Sequence, residues 1–154
     1  MTAQFVIDSS VLIAFERNQP RDIYPTLWDR VETLLRSGDA VIPREALSEL
    51  ERGTDDLAGW VRETGAVCDT DAAMIAVVAQ ISTRHPDWVR ETKNAADPFI
   101  IATAKVLGAV IVTNEKTRNL VTVDANMKIP QVAAEFGVKA VTTNDLFRQL
   151  QWQF

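Results

Sequence analysis

Acidic residues recur at or near the ends of apolar runs in this chain. Asp8 follows the run "FVI", and Glu115 follows "AVIVTN". After the run "AVIP", Glu45 and Glu49 stand four residues apart, and Asp97 opens the pattern "DPFIIATAKVLG". A buried carboxylate costs several kcal/mol unless a hydrogen-bond donor or a cation pairs with it. These acids therefore indicate either turns and helix caps or a bound positive charge.

Each acid, taken alone, has an ordinary structural explanation. Asp8 could cap the following helix, and Asp97 before a proline is typical of a helix N-cap. Glu45 and Glu49 could lie on a solvated helix face, and Glu115 stands in the polar stretch "VTNEKT". The individual positions leave both interpretations open.

The chemistry changes if these carboxylates come together. Neighbouring carboxylates raise each other's pKa unless a cation neutralises them. Oxygen ligands suit Mg²⁺ or Mn²⁺, which a few carboxylates hold while waters and a substrate phosphate complete the coordination. The chain has one histidine and one cysteine, which disfavours a zinc site or a Cys-His pair. The acids therefore favour metal-assisted phosphoryl transfer or hydrolysis.

The elements that would position these acids are short strands alternating with helices. Four short runs rich in β-branched residues are typical of buried parallel strands: 5–8, 40–43, 109–113 and 139–143. Helical patterns lie between them: 27–35, 74–81 after the capping signal "DTD", and 97–107 with Asp97 at the N-cap and Gly108 just past the end. This alternation predicts an α/β layer fold with a mostly parallel sheet.

The parallel sheet also predicts where the acids meet. In such folds ligands bind beyond the carboxyl ends of the strands, where loops and helix starts converge. Asp8, Asp97 and Glu115 are expected at or near that edge, and the helix after the second strand brings Glu45 and Glu49 there.

Length and composition limit the classes of protein to which this chain can belong. The 154 residues predict a single domain over 1–154, and 24% charged with 47% hydrophobic residues argues against disorder. The sequence holds no apolar stretch of membrane-spanning length and no signal-peptide pattern, so a cytoplasmic protein without membrane association is expected. The net charge of −5 means that any polyanion must be met by a local basic patch.

The motifs, in their order and spacing, resemble the PIN domain, the nuclease module of VapC-type toxins. The segments that carry the resemblance are "VIDSSVLI", "EALSEL", "AADPFIIATAKVLGAVIVTNE" and "KAVTTNDLF". They span essentially the whole chain. The stretch from "RDIYPTLWDR" to "DDLAGWV" is similar to a PIN-like subfamily with a longer helical arm.

The resemblance implies a three-layer α/β/α sandwich and a ribonuclease that uses one or two Mg²⁺ or Mn²⁺ ions. The family's four acids fall on Asp8, Glu49, Asp97 and Glu115, which would serve as metal ligands and catalytic residues. The expected supporting residues are Ser10, Thr113, Glu45 and Asn114. Glu115 departs from the common aspartate by one methylene, and Glu45, one turn before Glu49, competes with it as a ligand.

RNA would have to reach an acidic molecule through basic residues near the acids. Arg90 and Lys93 precede Asp97, and Lys116 and Arg118 follow Glu115, so the four could form a basic rim. Ordinary solvated charges are the alternative explanation. Trp88 could stack on a base or pack in the core.

Partners follow from the resemblance and from aromatic residues. PIN toxins commonly form homodimers and bind an antitoxin, so the resemblance implies both, and it implies the toxin of a type II toxin-antitoxin pair. Core packing is favoured over partner contacts for Trp28, Trp60, Trp152 and Phe154. Two other classes stay open: a metal-dependent nuclease or phosphatase with another phosphate substrate, and an inactive PIN-like binding module.

Overall fold

Short parallel strands form the centre of the fold. The computed structural model describes residues 2–53, 56–116 and 123–154. The strands in these ranges are β1 (Phe5–Ile7), β2 (Ala40–Pro43), β3 (Val67–Cys68), β4 (Val110–Val112) and β5 (Ala140–Val141). Their order in the sheet is β3-β2-β1-β4-β5, and every neighbouring pair is parallel. The predicted parallel sheet is therefore confirmed.

Helices flank the sheet on both faces. They are α1 (Ser9–Asn18), α2 (Pro25–Arg36), α3 (Arg44–Glu51), α4 (Leu57–Thr64), α5 (Ala72–Arg84), α6 (Asp97–Leu107), α7 (Ile129–Glu135) and α8 (Thr143–Gln149), with a 3₁₀ turn at Asp124–Asn126. Helix α6 packs against β1, β2 and β4 and contacts α5 and α7. Aromatic contacts connect α1 with α2 and α8, and α2 with α4. The predicted three-layer α/β/α class is confirmed.

Local sequence explains most element boundaries. Asp71 caps α5 by accepting a hydrogen bond from the Met74 N–H (2.9 Å), as the "DTD" signal predicted. Gly108 ends α6 with a φ of 66°, a left-handed conformation that glycine adopts without steric cost. Strand β3 was missed, because two paired residues carry too little β-branched pattern to stand out from their surroundings.

The predicted N-cap of α6 was wrong. The helix begins at Asp97 itself, its N-cap residue is Ala96, and no side chain caps it. Asp97 occupies the first turn, where the helix dipole favours a negative charge. The Asp97 carboxylate is therefore not used as a helix cap, which removes the capping explanation for this acid.

The tryptophans of α2 and α4 belong to the core. Trp28 and Trp60 are 4% and 9% exposed, and their rings meet edge to face at 5.2 Å. Trp88 is fully buried and donates its indole N–H to the Met127 carbonyl (3.0 Å), so it packs and does not stack on a base. Within the described residues, no helix is long and apolar enough to cross a membrane.

Candidate metal centre

The register of β1 with β4 places Asp8 beside Thr113. Ile7 pairs with Val112, and the Asp8 N–H donates to the Val112 carbonyl at 3.0 Å, which extends the ladder by one residue. The Thr113 hydroxyl then donates to Asp8 Oδ2 at 2.7 Å, and the Ser10 hydroxyl donates to the same oxygen at 2.7 Å. Asp8 is 4% exposed and makes no side-chain cap hydrogen bond to α1. Its buried carboxylate is thus held by two hydroxyls at the sheet edge.

Helix α3 presents its two glutamates to different neighbours. Glu49 Oε2 accepts a hydrogen bond from the Ser9 hydroxyl at 3.0 Å, which joins α3 to the start of α1. Glu45 accepts hydrogen bonds from the Thr70 hydroxyl at 2.8 and 3.2 Å, beyond the end of β3. The contacts bring Glu49 to the residue next to Asp8 and direct Glu45 toward another loop, so Glu49 is the better placed of the two.

Asp97 is the least compensated acid of the group. It is 6% exposed, and its carboxylate accepts no hydrogen bond from the described part of the chain. Burial, together with the negative charges of Glu115, Asp8 and Glu49, raises the pKa of Asp97 to about 8, against a lowering by Lys128. A buried, unpartnered carboxyl surrounded by other acids is expected where a cation binds.

Glu115 approaches the group from the segment after β4. Its Oε2 accepts a hydrogen bond from the Ile129 N–H at 2.9 Å, at the start of α7. Burial raises the pKa of Glu115, the bond from Ile129 opposes that shift, and the charge of Asp8 adds to it while Lys128 lowers it. The extra methylene relative to aspartate is thus matched by a specific backbone donor in α7.

Electrostatics tie the four acids into one group. Burial raises the pKa of Glu49, the Ser9 hydrogen bond opposes the shift, and the charge of Asp8 raises the pKa again. The charges of Asp8 and Glu49 also raise the pKa values of both Asp97 and Glu115. Asp8, Glu49, Asp97 and Glu115 form the acid cluster, the name used for them below.

The donor set of the acid cluster fits a hard divalent cation. All four side chains offer carboxylate oxygens, the ligands that Mg²⁺ and Mn²⁺ prefer. As placed, however, the described residues contain no group of three or more His, Cys, Asp or Glu side chains ready to hold a metal ion. Glu49 and Glu115 are instead drawn to the Ser9 hydroxyl and the Ile129 N–H.

Polar residues at the edge connect the acids to their surroundings. The Asn114 N–H donates to Ser10 Oγ (3.2 Å), and its side-chain amide donates to the Ser10 carbonyl (3.2 Å). The Thr143 hydroxyl donates to Asn114 Oδ1 at 2.9 Å. Asn114 therefore joins the β4 end to the starts of α1 and α8, and its supporting role in catalysis stays a prediction.

The predicted basic rim is only partly described. Arg90 and Lys93 are exposed and form a backbone bridge just before α6, and Lys116 is exposed next to Glu115. Arg118 lies outside the described residues. A cavity of about 260 Å³ beside Glu49 is lined in part by Arg17 and Arg52, two basic residues that the sequence prediction did not include.

Other contributors were also missed. Ser9 binds Glu49, the Ile129 N–H binds Glu115, and Lys128 lowers the pKa of Asp97 and Glu115. Ser9 stands next to Asp8 in "DSS", so the sequence could have predicted that Ser9 lies near the acids. The contributions of Lys128 and Ile129 depend on how α7 packs, for which the local sequence carries no signal.

Comparison with known proteins gives a family and a fold. The family described as "Domain of unknown function (DUF4411)" matches residues 5–154. No curated protein matches the chain. Among solved structures, the chain is similar to the crystal structure of FitAcB from Neisseria gonorrhoeae, with a TM-score of 0.51, 18% sequence identity, and coverage of 89% of this chain and 96% of that chain. This similarity concerns the fold and agrees with the predicted PIN-like α/β class.

Proposed function

The chain belongs to the DUF4411 family, and we propose that it is a metal-dependent endoribonuclease of the PIN-like type, acting as the toxin of a type II toxin-antitoxin pair. The acid cluster is its proposed active site. Mg²⁺ or Mn²⁺ is the proposed cofactor, as one or two ions.

The observation that carries this proposal is the buried, unpartnered carboxyl of Asp97 among three other acids. Its pKa is raised to about 8 by burial and by the charges of Glu115, Asp8 and Glu49. Keeping such a group ionised near neutral pH requires a positive charge at the site. A fold that needed these acids only for stability would gain nothing from placing four of them where each destabilises the others.

The residues divide the work by position. Asp8 and Asp97 would hold the ion, Glu49 would hold it directly or through water, and Glu115 would complete the coordination or recruit a second ion with the substrate. Ser10 and Thr113 orient Asp8 through its Oδ2 atom. A bound divalent ion supplies an activated water and charge stabilisation for phosphodiester hydrolysis. Two basic side chains at the cavity beside Glu49, Arg17 and Arg52, would meet neighbouring phosphates.

The partners follow from the same proposal. RNA is the substrate, and an antitoxin protein and a second copy of the chain are the expected protein partners. An antitoxin would restrain a nuclease that is otherwise active in the cell. Purification alone and with the product of the neighbouring gene would test this, since a toxin is expected to form a stable complex that no longer cleaves RNA.

The decisive experiment is RNA cleavage by purified protein. A pool of structured and single-stranded RNAs is incubated with Mn²⁺, Mg²⁺ or EDTA, beside single-stranded DNA and a small phosphate ester. Asp8→Asn and Asp97→Asn test the acid cluster. Asp29→Asn, an exposed acid of α2 outside the cluster, is the matched control.

The proposal expects internal RNA cuts that require the metal, persist in Asp29→Asn and vanish in both cluster variants. Equal cutting by wild type and cluster variants would identify a contaminating nuclease. Hydrolysis of DNA or of the small ester in preference to RNA would mean that the same site acts on another phosphate substrate. No cutting, together with no Mn²⁺ binding by calorimetry, would contradict the enzyme function and favour an inactive binding module.

A further inference from the structure

A cavity lies next to the acid cluster on the side of α1 and α8. Its volume is about 380 Å³, within the range of small-ligand pockets. The end of α1, the start of α2, the start of α8 and the segment after β4 enclose it. Its lining includes the aromatic residues Phe15, Tyr24 and Phe147 and the asparagines Asn18, Asn114 and Asn144.

The lining combines aromatic faces with amides and carries no charged side chain. No lysine, arginine, aspartate or glutamate is among the described residues that line it. Tyr24 is 41% exposed at the cavity. The side-chain amides of Asn18 and Asn144 make no hydrogen bond to other described residues. The cavity is therefore lined by a partly exposed tyrosine and by amide groups that no described residue uses.

Asn114 joins this cavity to the acid cluster. The Asn114 N–H donates to the Ser10 hydroxyl (3.2 Å), which donates to Asp8 Oδ2 (2.7 Å). Asn114 lines the cavity, so only Ser10 stands between a lining residue and the carboxylate of Asp8. The cavity and the acid cluster are thus connected through Asn114 and Ser10.

We propose that this cavity is a nucleobase subsite, which holds one unpaired base of the RNA next to the phosphodiester at the acid cluster. The inference rests on the proposed ribonuclease function and adds a binding site for one base of the substrate to it. The flat face of a base stacks on an aromatic ring, and amide side chains read its edge.

A nucleobase fits these observations better than a protein segment does. A single uncharged planar group can enter a cavity of this volume, and the proposed contacts are Tyr24 for its face and the amides of Asn18 and Asn144 for its edge. Single-stranded RNA is read in this way, by stacking and by hydrogen bonds to the base edges. A protein segment would leave the connection through Asn114 and Ser10 to Asp8 without a role.

The test uses nucleosides, which carry no phosphate and need no metal. Adenosine, guanosine, cytidine and uridine are titrated into the whole protein in EDTA, with ribose as the control ligand. Amide NMR signals of the Asn18 and Asn144 side chains report where binding occurs. At least one nucleoside is expected to shift both signals, whereas ribose should shift neither.

Variants at Tyr24 separate stacking from general binding. Tyr24→Leu should weaken nucleoside binding about 5- to 150-fold, which corresponds to the loss of one base–aromatic stack. Tyr24→Phe keeps the ring and should retain binding. Ile23→Ala, at an exposed neighbour outside the lining, should bind as wild type does. A melting curve for each variant shows that it is folded.

Three results would overturn the subsite. They are nucleoside binding that shifts other residues, equal binding by Tyr24→Leu, and signals of the lining that change with protein concentration alone because a second copy fills the cavity. None of these depends on the metal. Nucleoside binding without RNA cleavage would contradict the ribonuclease function and support a base-binding pocket. RNA cleavage without nucleoside binding would support the ribonuclease and contradict the base-binding pocket.

Discussion

Asp8 is a buried acid whose hydrogen bonds can be kept without its charge. Both hydroxyl donors, from Ser10 and Thr113, reach the same oxygen, Oδ2. An asparagine carbonyl can accept the same two bonds, while the repulsion from Glu49 and Asp97 disappears. The charge at this position is therefore predicted to serve ligand binding and not folding.

We expect Asp8→Asn to melt no lower than wild type in EDTA and to lack the stabilisation that Mn²⁺ gives the wild type. Ligand binding to the folded state raises stability with affinity and concentration, so the difference is visible as a missing rise in Tm. Differential scanning calorimetry with and without Mn²⁺ measures both. A markedly lower Tm in EDTA would instead make Asp8 a structural residue.

Asp97 predicts how the metal-free protein responds to pH. Its folded-state pKa of about 8 lies above the ordinary value of 3.8, because of burial and of the charges of Glu115, Asp8 and Glu49. The folded state thus holds the proton more tightly than the unfolded state. The resulting stability is present in full below pH 3.8 and is lost as pH rises toward and through about 8.

In EDTA, the Tm of Asp97→Asn should therefore rise relative to the Tm of wild type as pH increases. The largest difference is expected above pH 8. Thermal melts measure this difference at intervals of about half a pH unit between pH 3.8 and about 8. Asp29→Asn is the exposed control. A constant difference across this range would mean that Asp97 is ionised throughout. In wild type, Mn²⁺ affinity should increase over the same interval, since binding competes with the proton.

The segment from the 3₁₀ turn to α7 controls the environment of Glu115. It supplies the Ile129 N–H, and His85 at the end of α5 holds it in place. His85 is 6% exposed, its Nδ1 contacts Asp124 at 2.8 Å, and its Nε2 contacts Glu135. Both ring nitrogens thus face carboxylates, which favours the doubly protonated imidazolium.

The pKa of His85 reflects this placement. Burial lowers it, but the hydrogen bonds and charges of Glu135 and Asp124 outweigh burial and raise it above 6.5. Arg84 also pairs with Glu135 at 3.1 Å, and the Asp87 N–H contacts Asp124 at 3.4 Å. The stability from His85 is therefore present in full below the unfolded-state value and is lost as pH rises through the raised value.

We expect His85→Gln to melt below wild type at about pH 6, with the gap shrinking as pH rises past the folded-state pKa. His85 is the single histidine of the chain, so its imidazole proton signals report that pKa by NMR without assignment. A measured pKa at or below 6.5 in the folded protein would contradict the prediction, as would a gap that does not change with pH.

The elements also show where sequence reasoning works. Strands β1, β2, β4 and β5 were predicted because β-branched runs recur between amphipathic helices, and the parallel sheet then brought Asp8 and Glu115 to one edge. The Asp-Pro sequence suggested an N-cap, yet the helix starts one residue earlier than that pattern implied. The contributions of Lys128 and Ile129 were beyond prediction because they depend on packing between distant segments.

At the scale of the whole molecule, the negative net charge opposes RNA binding. The net charge is −5, and the acid cluster adds to the repulsion at the proposed site. A divalent ion at the proposed site would offset part of that charge, and basic side chains near the edge would have to supply the rest. Arg90 and Lys93 stand just before α6, which carries Asp97, whereas Lys139 precedes β5 and so stands at the opposite edge of the parallel sheet.

The two edges make a matched test. Arg90→Glu and Lys93→Glu should each weaken binding of a single-stranded RNA by the Asp8→Asn protein, which is expected to bind RNA without cutting it. The slope of log affinity against log salt should fall by about 0.7 for each phosphate that is no longer neutralised. Lys139→Glu changes the net charge by the same amount at the far edge and should leave the slope unchanged. Equal slopes for all three variants would mean that RNA responds to overall charge and that Arg90 and Lys93 are ordinary solvated residues.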